Sequence, residues 1–144
     1  MEMQMIRCKK KLAILWFVVS GLLFFVVLFQ SYFDYYGENM SKVWEWLLPT
    51  MMPTLSLMLG VFVMDTVNRG MEIKKVDRFF FRLTLGISSI YLTVVALTIL
   101  VIPFVIVKTQ DMVVFYQKSH LFLGPLQGLA SASLGAFFVK KEQS

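Results

Sequence analysis

Four long apolar runs separated by short polar segments divide the chain. Each run is about 20 residues or longer, which is the length that an α-helix needs to cross roughly 30 Å of hydrocarbon. The runs predict four transmembrane helices at about 12–30, 43–64, 83–107 and 120–139, with a longer polar loop at 65–82. We therefore expect an all-α integral membrane protein, in which residues 1–144 form one compact four-helix transmembrane bundle.

The composition agrees with a bilayer environment. Of the 144 residues, 58% are hydrophobic and only 16% are charged, and the mean hydropathy is +0.71. Soluble domains carry about 25% charged residues. Because the four runs fill most of the chain, little length is left for a soluble domain.

The basic residues are distributed unevenly. Most of the 14 lysines and arginines lie in the N-terminal segment, in loop 65–82 and in the C-terminal tail. Positively charged segments are retained in the cytoplasm, so both termini and this loop are predicted to be cytoplasmic. The same asymmetry explains the net charge of +5 without nucleic-acid binding. Together with the aromatic- and Met-rich composition, it indicates the inner membrane of a bacterium.

Catalytic chemistry has few candidate residues in this sequence. Cys8 lies among cytoplasmic lysines and His120 lies at the outer start of the fourth run, and neither has a second ligand at metal-binding spacing. No paired carboxylates, nucleophile motif or glycine-rich phosphate loop is present in the sequence. We expect a protein that is not an enzyme and that holds no cofactor or metal.

The stretch "WLLPTMMPT" places two prolines inside the second apolar run. A proline in a helix deletes one backbone hydrogen bond, and lipid offers no water to replace it. Pro49 and Pro53 are therefore predicted to kink the helix and to free the carbonyls of Glu45 and Pro49. Pro53 lies about 15 Å inside the membrane, near its middle. In an alternative interpretation, Pro49 begins the true helix, where its missing donor has no cost.

Two side chains at matching depth can donate to the freed carbonyls. Gln127 carries the one amide within the core of the fourth run, and Thr98 carries a hydroxyl on the third. We predict that one of them donates to the opened stretch of the second helix. Thr50 and Thr54 are expected to bond back to their own preceding turn.

Three of the four predicted helices carry a small or polar stripe. On the second helix it consists of Pro49, Pro53, Ser56 and Gly60, and on the third it consists of Thr84, Ser88, Tyr91 and Thr98. On the fourth, a ridge of small residues comprises Gly124, Gly128, Ala132 and Ala136, with Gly135 beside it. The ridge permits close helix packing, either within one chain or between subunits. If the stripes instead face a symmetry axis, they would line a narrow path through an oligomer. The residues predicted to line it are Pro49, Thr50, Pro53, Thr54, Ser56, Gly60, Ser88, Thr98 and Gln127.

Charged residues are confined to the ends of the predicted helices. The absence of a mid-membrane ionisable group disfavours an ion-coupled transporter, which binds its coupling ion there. A passive pore needs no such group, and its mouths could be formed by Glu45, Asp65 and Arg69. Lys74, Arg78 and Arg82 recur every four residues, so in a helix they would present three cations to anionic lipid head groups or to an acidic partner. The retention of positive charge in the cytoplasm also explains them.

These features predict a small non-enzymatic membrane protein that is a homo-oligomer or has a larger membrane or cytoplasmic partner. The first functional hypothesis is a membrane-permeabilising or channel-forming effector that acts with a separate cytoplasmic sensor. The alternatives are an accessory or assembly subunit of a larger membrane complex and a facilitator for a small neutral solute.

Overall fold

A computed structural model describes residues 2–67, 75–106 and 109–138. Within these ranges the chain forms strand β1 (Glu2–Gln4), helix α1 (Met5–Tyr32), a 3-10 turn (Gly37–Asn39), helix α2 (Met40–Val67), strand β2 (Lys75–Asp77), helix α3 (Arg78–Val105) and helix α4 (Thr109–Phe138). The predicted all-α class is confirmed, with two three-residue strands as the departure from it.

Three helices in the described ranges are long and apolar enough to cross a membrane. The candidate spans are Met5–Tyr32, Gly37–Met64 and Arg78–Val105. Helix α4 has 30 residues but is more polar and does not meet the same criterion. It begins at Thr109 rather than near residue 120, because an apolar run marks only the part of a helix that suits lipid.

The two short strands lie together at one end of the bundle. They pair antiparallel, with Met3 opposite Val76. Because β1 leads directly into α1 and β2 leads directly into α3, the first turns of these two helices are neighbours. Asp77 caps α3, since its Oδ1 accepts a hydrogen bond from the Phe79 amide at 3.3 Å. We call this the sheet end.

Tyrosine side chains mark the opposite end of the bundle. The turn after α1 includes Asp34 and Gly37, both with positive φ. The hydroxyl of Tyr35, in the same turn, donates to the carbonyl of Pro103 near the end of α3 at 2.9 Å. The Tyr36 hydroxyl lies 3.5 Å from that of Tyr116 on α4. We call this the tyrosine end.

Tyr36 is fully buried in this turn and donates to Oε1 of Gln30 at 2.5 Å. Burial raises the pKa of the Tyr36 phenol, and the hydrogen bond from Tyr116 opposes this shift. The phenol is therefore protonated at neutral pH and available as a donor that joins α1 to the turn.

The four helices alternate in direction. Helices α1 and α3 both run from the sheet end to the tyrosine end, and the Trp16 and Tyr91 rings stack between them at a centroid distance of 5.6 Å. Helix α4 runs the other way, because Tyr116 lies at the tyrosine end and Phe137 stacks on Phe80 at the start of α3, 5.1 Å away. Helix α2 runs beside α4, where Trp46 Nε1 donates to Ser119 Oγ at 2.9 Å.

Candidate functional site

Helix α2 continues without a break through both prolines. Pro49 and Pro53 lie inside Met40–Val67, so the alternative in which Pro49 begins the helix is wrong. Neither proline has a backbone N–H, and the carbonyls four residues earlier, on Glu45 and Pro49, each lose their usual donor. We call residues 49–54 the proline segment.

Donors from two other helices reach the proline segment. Gln127 Nε2 on α4 lies 3.2 Å from the Pro49 carbonyl and 3.4 Å from the Thr50 carbonyl. The Tyr91 hydroxyl on α3 donates to the same Thr50 carbonyl at 2.8 Å. The predicted bond from Gln127 to the opened stretch is thus confirmed. We call the Pro49 and Thr50 carbonyls, with Tyr91 and Gln127, the carbonyl site.

The threonine hydroxyls follow the predictions in part. Thr50 Oγ1 donates back to the Trp46 carbonyl at 2.6 Å, as expected. The same prediction is wrong for Thr54, whose buried hydroxyl has no hydrogen-bond partner in the structure. Thr98 bonds to Val94 of its own helix at 2.8 Å and makes no bond to α2. Gln127, together with the unforeseen Tyr91, supplies the donors that reach the proline segment from other helices.

The hydroxyl stripe of α3 is enclosed within the bundle. Its four members are at most 6% exposed: Thr84, Ser88, Tyr91 and Thr98. Thr50 and Thr54 on α2 face the same interior, each 2% exposed. In this structure these residues therefore lie in the core of one chain and away from any surface that another copy can reach.

Several polar groups in this interior have no partner. In the part of the chain that the structure describes, the buried atoms without a hydrogen bond are Trp16 Nε1, Ser20 Oγ, Thr54 Oγ1 and Ser88 Oγ. Trp16 and Ser20 lie one turn apart on α1, and the Trp16 ring stacks on Tyr91. The sequence pattern did not single out these two α1 residues, because isolated polar atoms in an apolar run show no periodicity.

Most of the small residues in the predicted stripes of α2 and α4 point outward. Pro49, Pro53, Ser56 and Gly60 are exposed, as are Gly124, Gly128 and Ala132, while Gly135 and Ala136 are half-buried. A methyl group added at any of these glycines would meet nothing within 4 Å. The α4 residues that pack inside the bundle are instead Leu123, Ala130, Leu134 and Phe137. Within the described residues, packing in one chain therefore does not account for the ridge.

The two outward rows lie beside each other. Gln127 on α4 bonds to the Pro49 carbonyl on α2, so the exposed small residues flank this contact along the seam between the two helices. We call the exposed residues Pro49, Pro53, Ser56, Gly60, Gly124, Gly128 and Ala132 the α2–α4 face. It holds no charged residue, and the half-buried Gln127 amide lies in the seam at its edge.

The charged candidates lie near the helix ends. Glu45 is exposed on α2 near the tyrosine end, whereas the Asp65 side chain, Arg69 and Lys74 lie outside the described residues. Arg78 and Arg82 are exposed on the first two turns of α3. Strand β2 occupies residues 75–77 and α3 begins at Arg78, so Arg78 and Arg82 lie on this helix, whereas Lys74 is outside the described residues.

Among residues 2–67, 75–106 and 109–138, no group of three or more His, Cys, Asp or Glu side chains is placed to hold a metal ion. No protein-family model, curated protein or solved structure matches this chain.

Proposed function

We propose that all four helices span the membrane, with the sheet end in the cytoplasm. Three helices have the length and hydropathy of spans, and α4 contacts both ends of the bundle that they form. Its 30 residues correspond to about 45 Å, more than the hydrocarbon thickness. The concentration of lysine and arginine near β1 and β2 supports a cytoplasmic sheet end, and with it cytoplasmic termini and an inner-membrane location.

We further propose that the protein acts as an oligomeric, non-enzymatic channel-forming or membrane-permeabilising subunit. The observation that carries this proposal is the outward position of the α2–α4 face. Small residues allow the backbones of membrane helices to approach closely, and this is how such helices gain packing energy. Lipid chains would pack poorly against this surface, whereas a helix of a second copy could pack closely against it.

The chemistry of the face suits a path between copies. Ser56 and Gln127 offer hydrogen-bonding groups, and the bond to the Pro49 carbonyl is itself exposed at the surface of the bundle. Channels line narrow paths with backbone carbonyls and gate them with apolar constrictions, without any buried charge. Glu45, exposed one turn before Pro49, would lie at the outer mouth of such a path.

Ion flux tests this proposal. Purified protein in phosphatidylethanolamine–phosphatidylglycerol vesicles should release entrapped potassium, and native mass spectrometry should show one homo-oligomer. Gly128→Leu should stop the release, because its side chain blocks close approach at the exposed α2–α4 face, and a Cβ at this position meets nothing within 4 Å in the single chain. Gly86→Leu is the matched control: this exposed α3 glycine also has open space around it but lies off the face. Tight vesicles at every protein density would refute the permeabilising function.

The α4 half of the face supports a second candidate, an accessory subunit of a larger membrane complex. Gly124, Gly128 and Ala132 form a continuous exposed ridge that another protein's helix could cover. In that case the chain should co-purify from mild detergent with a larger membrane protein, and Gly128→Leu should release it. Recovery only as a homo-oligomer would exclude this candidate. Arg78 and Arg82 are exposed at the sheet end, where anionic lipid or a cytoplasmic partner would meet them.

A further inference from the structure

A cleft of about 230 Å³ separates α1 from α2. Phe17, Phe24 and Phe25 contribute to its α1 wall, and Leu48 and Met52 contribute to its α2 wall. Phe17, Phe25, Leu48 and Met52 are all exposed on the outside of the bundle, so the cleft opens laterally. In a membrane, this opening faces the lipid.

Ser20 is the one polar side chain in the cleft lining. It is 2% exposed, and its hydroxyl has no hydrogen-bond partner. The hydroxyls of Thr50, Thr84 and Thr98 each bond to the carbonyl one turn earlier in their own helix, and Ser20 does not. A hydroxyl that is buried in a lipid-facing protein cannot obtain a partner from bulk water. The Ser20 oxygen exposes less than 1 Å² in its present rotamer. Rotation about χ1 would turn it toward the cleft, where a ligand that brings a polar atom would supply the missing bond.

We propose that the α1–α2 cleft binds a small uncharged lipophile that carries one hydroxyl or carbonyl oxygen, with Ser20 as its hydrogen-bonding partner. No charged residue lines the cleft, so an ionic ligand would gain no compensating contact there. A plain hydrocarbon chain would satisfy the apolar walls but leave the Ser20 hydroxyl unmet. The site is independent of oligomer formation, because both of its walls belong to one chain.

The size of the cleft limits the ligand. Its volume exceeds the roughly 150 Å³ of a cavity that holds one benzene molecule. It is smaller than the roughly 300–1,000 Å³ of pockets for drug-sized ligands. A single ring system or a medium-length alcohol fits these bounds. Met51 and Met52 lie in the lining, and the flexible thioether side chain adapts to the outline of different ligands.

The α2 wall of the cleft is continuous with the proline segment. Met51 and Met52 lie between Pro49 and Pro53, on the opposite side of α2 from the Gln127 bond. A ligand in the cleft would therefore contact the proline segment from the α1 side.

Photolabelling with a diazirine-bearing octanol tests the proposal on the full-length protein in lipid vesicles. Peptide mass spectrometry should place the label on residues 17–25 or 47–55. Unlabelled 1-octanol should compete for this label, whereas n-octane, which has similar size and no oxygen, should compete at least about fivefold less well. Label spread evenly over the lipid-facing helices, or equal competition by octane, would overturn the proposal.

Two variants make the test specific to the cleft. Ser20→Ala should weaken octanol competition about fivefold, because it removes the hydroxyl with little change in volume. Gly21→Leu should abolish labelling, since Gly21 lines the cleft and its added side chain enters open space.

The matched controls are Ser88→Ala, which removes another partnerless buried hydroxyl, and Gly86→Leu on α3; neither residue lines the cleft. Both controls should label as the native protein does. Native labelling in Gly21→Leu would overturn the proposal even if Ser20→Ala failed to fold.

Discussion

The dependence of α2 on Gln127 gives a quantitative prediction. Pro53 has no N–H, so the Pro49 carbonyl takes a donor from α4 instead, Gln127 Nε2 at 3.2 Å. Interhelical hydrogen bonds in membrane proteins contribute about 0.6 kcal/mol on average and up to about 1.7 kcal/mol. Since Gln127 also lies 3.4 Å from the Thr50 carbonyl, we expect Gln127→Leu to destabilise the fold by about 1 kcal/mol.

The same substitution should cost much less when the backbone donor is restored. Pro53→Ala supplies an N–H at the position where the helix would bond it to the Pro49 carbonyl. In this background the Gln127 amide keeps only its long contact with Thr50. The two substitutions should therefore show a coupling energy of about 0.5–1 kcal/mol, above the roughly 0.3–0.5 kcal/mol expected from additivity error.

Reversible unfolding in mixed micelles of rising dodecyl sulfate content measures this coupling. The three tryptophans report the transition. Ser133→Ala replaces Gln127→Leu in a control cycle, because the Ser133 hydroxyl bonds only to Ala130 of its own helix in the structure, at 2.9 Å, and should not couple to Pro53. An equal cost of Gln127→Leu in both backgrounds would refute this account of how α2 tolerates Pro53.

Two further outcomes follow from the fold. Tyr91→Phe should keep the stacking on α1 but lose the 2.8 Å bond to the Thr50 carbonyl, which should lower the unfolding free energy by about 1 kcal/mol in the same titration; an unchanged midpoint would contradict the role of the hydroxyl. In a chain with Cys8→Ser, Met3→Cys and Val76→Cys should be joined by a short bifunctional thiol reagent, since these residues oppose each other across the β1–β2 pair. Failure to join them in the intact membrane would contradict the strand register.

The sequence predicted Gln127, with Thr98 as the alternative, as the donor to the opened stretch, because the number of strong donors within the apolar runs is small. Gln127 is the one amide in its run, and counting residues from the ends of the helices placed it at the depth of Pro49. Tyr91 was recognised as part of a polar stripe, but not as a donor to α2. A tyrosine reaches farther than serine or threonine, and its target depends on how two helices are rotated, which periodicity does not specify.

The two short strands and the ridge of small residues on α4 show what else the sequence pattern could not predict. A three-residue strand carries too little alternation to be recognised, and the pairing of β1 with β2 joins segments far apart in the chain. Asp77 before the apolar start of α3 is a usual N-cap signal and could have located the helix start. The spacing of Gly124 and Gly128 predicts a surface for close approach, but spacing alone cannot distinguish a neighbour in the same chain from another protein.

The inner side of α2 stabilises the single chain, and its outer side is available for association. Substitutions on the two sides can therefore distinguish folding from association. The inner side, with Thr50, is held by Tyr91 and Gln127, so substitutions there change the stability of the single chain. The outer side, with Gly60, has open space around it in the bundle. A larger residue at Gly60 should therefore not destabilise the monomer, and any loss it causes is in the contact with whatever covers the α2–α4 face. Comparing the unfolding midpoint with the native mass of the same variant assigns an effect to one side or the other.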